Sequence, residues 1–439
     1  MRCTSAVISA LLGITMITAN AQQRMALSVD EAVRLGLTNS KVLHASQMRV
    51  QMADARASEV NAARLPSLKA NAGYARLSDV VPFSISLPGS PTVFTISPSI
   101  QNNYSLRATL TQPLFTGFRL DASARVADAS AEATQHEYSK DKSELVYGVK
   151  SAYWTLYKAI EVKKVLDDNV EQVQAHLVDA KNLLDQGLAS ANDVLKIEVQ
   201  LSNAKLAQID AKNAVWIARV NLNNQMGIPL STDVELATPI WHTPTPFDGL
   251  DLLVQRATDN RPDLKAMNAL VEASDAAVTV AQSGWWPQIS LQANYLNARP
   301  NARIFPAKDQ FADTWDVAVN VSLDLWNWGT TADQTAQAKA QYLQSVDALG
   351  SMKDGITLQV TQDYLTLQQA RDKIEVAKQG VSQAEENYRI TNDKYKEGLS
   401  LTSELLDADV ALTQAKTNYT QALVDYELAE GRLQKSIGE

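Results

Sequence analysis

Side chains able to do chemistry are sparse in this 439-residue chain, and they do not converge. The four histidines, His44, His136, His176 and His242, show no metal-ligand spacing. No glycine-rich phosphate loop and no pairing of nucleophile with base stands in the sequence. An enzyme is therefore not expected, nor a cofactor, nor a resident metal. One carboxylate pair does stand out. Glu404 and Asp407 lie three residues apart, on one face of a helix. Facing a narrow aqueous passage, such carboxylates favour cations; facing bulk water, they are an ordinary solvated surface. Two Gly-Leu pairs, Gly187-Leu188 and Gly398-Leu399, interrupt long helical patterns. Glycine tolerates the turn conformation that other residues resist. Each pair reads as a turn at which a long helix reverses.

The N-terminus carries export features. Arg2, an apolar stretch from Ala6 to Ile17, and Ala19-Asn20-Ala21 fit a cleaved secretory signal at 1–21, with Gln22 starting the mature chain. The lone cysteine, Cys3, falls inside that signal, too early for lipid attachment. The mature chain is thus expected to lack disulfides and an acyl anchor. The net charge of -9 disfavours nucleic-acid binding, which needs basic surface. No later segment reaches the apolar length of a membrane-spanning helix.

These features sit on a tandem repeat. Leu65-Pro66-Ser67-Leu68 matches Trp286-Pro287-Gln288-Ile289 at an offset of 221, as do Asn39 with Asn260 and Tyr74 with Tyr295. Further on the offset becomes 211, pairing Leu114 with Leu325, Gly187 with Gly398 and Gly227 with Gly438. A longer Ser/Pro/Gly-rich loop in the first copy absorbs the difference. The division expected is a first repeat at 22–228, a joint at 229–249 and a second repeat at 250–439. Pro229, Pro239, Pro244 and Pro246 exclude a continuous helix in the joint.

Each repeat reads as a helix, two strands and a long helical hairpin. Leu68, Ala70, Ala72 and Tyr74 alternate with polar residues, and so do Tyr104 to Leu110, Ile289 to Tyr295 and Trp315 to Leu325. Period two with one apolar face predicts a two-faced sheet. Elsewhere the apolar residues keep a 4-3 spacing, as from Leu145 through Val149, Leu156, Val173 and Leu177 to Leu184. That is a coiled-coil seam. The helix before Gly187 is expected to run roughly 60 residues, on the order of 90 Å. The fold class expected is mainly α with a small β part.

Four strands cannot close a barrel, and open edges are forbidden in lipid. If these runs span a membrane, several chains must share one barrel; the alternative is a periplasmic sheet. Phe115, Trp285, Trp286, Trp326 and Trp328 cluster where strands join helices. They read as an interfacial aromatic girdle or as junction packing.

The Leu-Pro and Trp-Pro strand starts, the Gln112-Pro113-Leu114-Phe115-Thr116-Gly117 exit and the tips Gln186-Gly187-Leu188 and Glu397-Gly398-Leu399 resemble the TolC family of outer-membrane efflux proteins. The similarity runs from about Leu27 to Gly438 and lies in the duplicated order of elements more than in any single motif. The resemblance implies a homotrimer in outer-membrane lipid, with a shared barrel of transmembrane strands and a periplasmic α-barrel of coiled-coil hairpins. It implies a passive exit duct fed by an inner-membrane pump through a periplasmic adaptor. It makes Gly187, Leu188, Gly398 and Leu399 adaptor-contact tips, and Asp193, Tyr395, Glu404 and Asp407 a periplasmic gate, the last two as carboxylate rings. Ser400 departs from the family, whose best-known members carry a basic latch residue there. The competing expectation is a periplasmic coiled-coil adaptor or scaffold without a pore.

Overall fold

A computed structural model of the chain describes residues 25–86, 88–89, 91–240 and 248–439. The signal at 1–21 with Cys3, and His242, Pro244 and Pro246 of the joint, lie outside the described residues. The elements run β1 (Met25–Leu27), α1 (Val29–Asn39), α2 (Lys41–Ala62), β2 (Ser67–Arg76), β3 (Phe83–Ser86), β4 (Val93–Ser97), β5 (Asn102–Thr116), α3 (Arg119–Asp185) and α4 (Ala191–Gln225). Then follow β6 (Val234–Leu236), α5 (Leu250–Asn260), α6 (Pro262–Gln282), β7 (Gln288–Arg299), β8 (Ala312–Ser322), α7 (Thr330–Lys396) and α8 (Thr402–Ser436). None of the described helices is long and apolar enough to cross a membrane.

The residues fall into two compact units, and each draws on both repeats. One comprises Met1–Ser40, Leu145–Thr245 and Leu367–Gly431; the other comprises Lys41–Glu144, Pro246–Thr366 and Arg432–Glu439. The second unit holds a sheet in the order β2-β5-β7-β8, antiparallel throughout. Its register puts Leu68 opposite Leu110, Tyr74 opposite Tyr104, Ala108 opposite Tyr295, and Ala293 opposite Val317. Directly opposed residues share a face, so all four apolar sets point to one side. That side is bare: Leu68, Trp315 and Val321 are 73%, 73% and 64% exposed. The other side is polar and linked across strands. Thr109 donates to Asn294 at 2.9 Å, and Asn294 donates to Asp316 at 2.9 Å.

Three expectations need correction. The last strand stops at Ser322, short of Leu325, because Ser322 pairs with Gln288, the first residue of β7. Pro287 before it offers no N–H to continue the ladder. The Ser/Pro/Gly-rich loop contains the small hairpin β3–β4. The joint at 229–249 contains β6, which pairs in parallel with β1. Neither three-residue strand is long enough to reveal a period.

The first unit is built on the heptad seams. Val149, Leu156, Val173, Leu177 and Ala180 of α3 are buried. So are Ile374 and Tyr395 of α7, and Leu405, Ala408, Leu412, Ala422 and Tyr426 of α8. Helices α3 and α7 are 67 residues each, about 100 Å at 1.5 Å per residue. The Tyr153 hydroxyl donates to the Leu27 carbonyl at 3.0 Å and accepts from the Thr238 amide at 3.0 Å, tying β1 and the joint to α3.

The duplication extends to single contacts. Helix α1 stops at Ser40 and α5 at Arg261, both extended at ψ 116° and 124°. Residue 261 precedes Pro262, which disfavours helical backbone there. Gly227 (φ 67°) packs on Asn39, and Gly438 (φ 86°) packs on Asn260. A Cβ on Gly227 would lie 2.8 Å from the Asn39 carbonyl oxygen. Gly227→Ala therefore combines left-handed strain with a backbone clash and should cost about 2–3 kcal/mol. The urea midpoint of the detergent-solubilised protein should fall; an unchanged midpoint would show that the contact yields freely.

Candidate functional site in the sheet and the helical tips

Two aromatic bands border the apolar face of the sheet. At the helix-joined end, Phe115, Phe118 and Trp286 meet edge to face, with centroids 5.4, 6.4 and 6.0 Å apart, and Trp326 meets Trp328 at 5.6 Å. Trp285 lies beside Trp286 and is exposed, at 57%. Phe118 is an addition, with φ 66° directly after Gly117 at φ 59°. The equivalent pair Trp328 and Gly329 repeats the conformation at φ 56° and 84°. This two-residue left-handed corner turns each repeat from strand into long helix. A Cβ on Gly117 would lie 2.7 Å from both Ser283 O and Trp286 Cβ.

The opposite band was not anticipated. Tyr74 and Tyr104 are 5.0 Å apart, Tyr104 and Phe311 5.8 Å, and the Arg299 guanidinium sits 5.9 Å from the Tyr104 and Phe311 rings. Tyr295 stands opposite the exposed Trp315. The signal was present in the sequence: three of the alternating runs have tyrosine at this end. Along β5, Phe115 and Tyr104 are separated by roughly 36 Å of strand, or about 28 Å across the membrane at a 40° tilt. That matches the hydrocarbon thickness of about 25–30 Å.

At the other site, both tips are built alike. Leu188 N–H donates to Leu183 O at 2.8 Å, and Leu399 N–H donates to Lys394 O at 2.8 Å. Gly187 and Gly398 both have φ 74°. These are Schellman turns, which satisfy orphan carbonyls at a helix C-terminus. Leu188 and Leu399 remain 73% and 72% exposed.

The acids just past the tips cap helices. Ser190 and Asp193 form a reciprocal capping box at the start of α4, with Ser190 N–H donating to Asp193 Oδ2 at 3.2 Å and Asp193 N–H to Ser190 Oγ at 3.3 Å. Glu404, 211 residues on, repeats the role: its Oε2 accepts from Leu401 N–H at 3.2 Å and from the Ser400 hydroxyl at 2.5 Å. Hydrogen bonds from Ser190 and Ser400 hold Asp193 and Glu404 below the usual carboxylate range. Asp407 is exposed one turn along the same helix. Tyr395 is buried; burial raises its phenol above the usual range, Thr402 opposes, and the charges of Asp193 and Asp179 add to the rise. The fold thus brings Tyr395 near Asp193, from opposite repeats. Sequence reasoning missed the cap at Ser190, although Ser190 with Asp193 three residues on is a readable capping signal.

The family described as "Outer membrane efflux protein" matches residues 32–227 and 253–439. This chain belongs to that outer membrane efflux family. It is 22% identical over 322 residues to outer membrane protein TolC of Vibrio cholerae, covering 71% of this chain and 72% of that one. It is 24% identical over 388 residues to protein CyaE of Bordetella pertussis, covering 87% and 78%. Among solved structures, the outer membrane protein VceC from Vibrio cholerae superposes with TM-score 0.79 at 16% identity, covering 93% of this chain and 96% of that one. The efflux-family chain is accordingly an outer-membrane channel protein with internally duplicated TolC-like architecture, not a pore-less periplasmic adaptor. It resides in the bacterial outer membrane with a helical tunnel in the periplasm.

Ser190→Ala removes one arm of the α4 capping box. It should ease opening of that first turn by about 1 kcal/mol, or roughly fivefold faster amide exchange at Asp193 and Val194. Unchanged exchange would show that the box contributes nothing.

Proposed function

We propose that this channel protein is one protomer of a homotrimer that acts as a passive exit duct. It catalyses no reaction and needs no cofactor. It receives cargo from an inner-membrane pump through a periplasmic adaptor, and nucleic acid is not a partner. The functional unit is the duplicated chain, with repeats at 22–228 and 250–439 around the joint at 229–249. The observation that carries this reading is the sheet whose edge strands, β2 and β8, have no strand on their outer sides among the described residues. A four-stranded sheet with a bare apolar face cannot stay open in lipid. Edge pairing of β8 with β2 of the next copy closes it, and three copies make a twelve-stranded barrel.

The helices support the same ring. Residues Leu195, Val199, Leu206, Ile209 and Trp216 make a heptad-spaced stripe along α4, and all are 58–64% exposed. The equivalent face of α8 packs on α3 within the chain: Leu406 joins the core of Val173 and Leu177, and Asn169 donates to Thr413 at 3.0 Å. Quasi-equivalence then seats the α4 stripe on α7 of a neighbouring copy, where Val376 is 70% exposed. Three protomers complete the tunnel by repeating one helix contact alternately within and between chains.

Tips Gly187-Leu188 and Gly398-Leu399 serve as adaptor contacts, since each presents an exposed leucine on a fixed turn. Asp193, Tyr395, Glu404 and Asp407 form the periplasmic gate. With Ser400 hydrogen-bonded to Glu404, the gate lacks a basic latch at this point and relies on caps and on rings of carboxylates. Such rings favour cations.

The parent protein in detergent should show a native mass of three chains, and Leu206→Glu with Ile209→Glu should yield monomers. A monomeric parent would overturn the proposal, and a trimeric double variant would overturn the α4 seam. In planar bilayers, Glu404→Ser with Asp407→Ser should raise conductance and weaken cation preference; parental conductance would remove both residues from the gate.

A further inference from the structure

The tunnel unit contains a polar cluster that neither the tips nor the duplicated seams require. Asp409 of α8 is 1% exposed. Its Oδ2 accepts from Asn169 Nδ2 of α3 at 2.7 Å, and the same amide donates to Thr413 Oγ1 at 3.0 Å. The other carboxyl oxygen, Oδ1, is buried with no hydrogen-bond partner among the described residues. His176 of α3 is 5% exposed, with Nε2 3.0 Å from the Tyr388 hydroxyl of α7. Gln172 and the Asp409 carboxyl both act on Tyr388, which joins the two halves of the cluster.

The repeat supplies a comparison. The first-repeat equivalents of Asp409 and Thr413 are Glu198 and Ser202, and the α7 equivalent of Asn169 is Gly380. Glu198 is half-buried in the single chain and pairs with Lys181 at 3.1 Å. A carboxylate shut from water with one oxygen unserved is costly when ionised and comfortable when protonated. Burial accordingly pushes the Asp409 carboxyl up to about 6, with the Asn169 hydrogen bond opposing.

We propose that Asp409 makes the α3–α8 seam a proton-operated clamp, docked when the carboxyl is protonated and loosened when it is ionised. Glu404 and Asp407 ride on the same helix, so loosening the seam frees the acids assigned above to the gate; this consequence rests on that assignment. The groups around Asp409 are few. Helix α3 presents Asn169, Gln172 and His176, α7 presents Tyr388, and α8 itself presents Thr413. Nearby α4 adds apolar Val194, Ile197 and Leu201 to the core of Val173 and Leu177. His176 titrates in the opposite sense. Burial lowers its imidazole below the usual value, with Asp179 raising it and Lys396 lowering it.

The signs follow from linkage. Asp409 is raised in the folded state, so its penalty is full at pH above about 6 and disappears as the folded form takes up a proton. His176 is depressed, so its neutral burial costs stability only as pH falls below the unfolded imidazole value. Single variants separate the two. Between about pH 7.5 and about pH 5.5, protonation of Asp409 should raise the thermal midpoint of the detergent-solubilised parent and protonation of His176 should lower it. D409N, neutral and isosteric, should lie above the parent at the higher pH by a margin that shrinks on acidification, while H176Q should rise more steeply than the parent. A D409N midpoint that tracks the parent at every pH, or falls below it throughout, overturns the clamp. In planar bilayers the parent should conduct less at the lower pH, and D409N should stay at that lower level at both. If the midpoints behave as expected but conductance does not depend on pH, the clamp stands and the gate assignment fails.

Discussion

An unpaired strand edge cannot be left in hydrocarbon, and that constraint shapes the rest of this molecule. Each backbone N–H and C=O exposed to lipid forgoes a hydrogen bond that water would have supplied. The sheet β2-β5-β7-β8 satisfies its inner ladders and leaves two outer ones open, while its apolar face is bordered by aromatic bands at both ends. A lone chain has no way to bury these edges within the sheet. The helices face the same demand in weaker form, because the α4 stripe is apolar, heptad-spaced and uncovered. In the proposed homotrimer, sheet edge and helix stripe are both covered by another copy of the same chain.

Internal duplication turns that demand into a repeated solution. The left-handed corners at Gly117-Phe118 and Trp328-Gly329, the turns at Gly187 and Gly398, and the glycine–asparagine contacts at Gly227 and Gly438 recur in both halves. One local geometry is used twice in each chain. Where the copies differ, the difference is chemical: Asp409 is buried, while its counterpart Glu198 is half-buried and paired with Lys181. Such departures are the places to look for properties that the shared scaffold does not dictate.

Much of this was legible in the residues. Alternation from Leu68 to Tyr74 and from Trp315 to Val321 marked strands with one apolar face, because a pleat has period two. The 4-3 spacing from Leu145 to Leu184 marked a seam, because a supercoiled helix has period 3.5. What escaped had no period to detect. Strands β1 and β6 are three residues each and are held by Tyr153, a contact across 126 positions from Leu27. The Asn169–Asp409 pair joins residues 240 apart, and in the sequence Asp409 looks like any surface acid. Glu404 was read as a channel acid from its position, yet its carboxylate is engaged with Ser400 and Leu401 as a helix cap. Both uses draw on the same negative charge, so the cap is compatible with the gate role proposed for Glu404.

Amide hydrogen exchange on the reconstituted protein tests the central claim most directly. In a closed ring, the outward amides of Ser67–Arg76 and Ala312–Ser322 are paired with neighbouring copies and should be protected as strongly as those of Asn102–Thr116 and Gln288–Arg299. Fast exchange confined to the two outer strands, with the inner pair protected, would mean that the edges stay open and that no shared barrel forms.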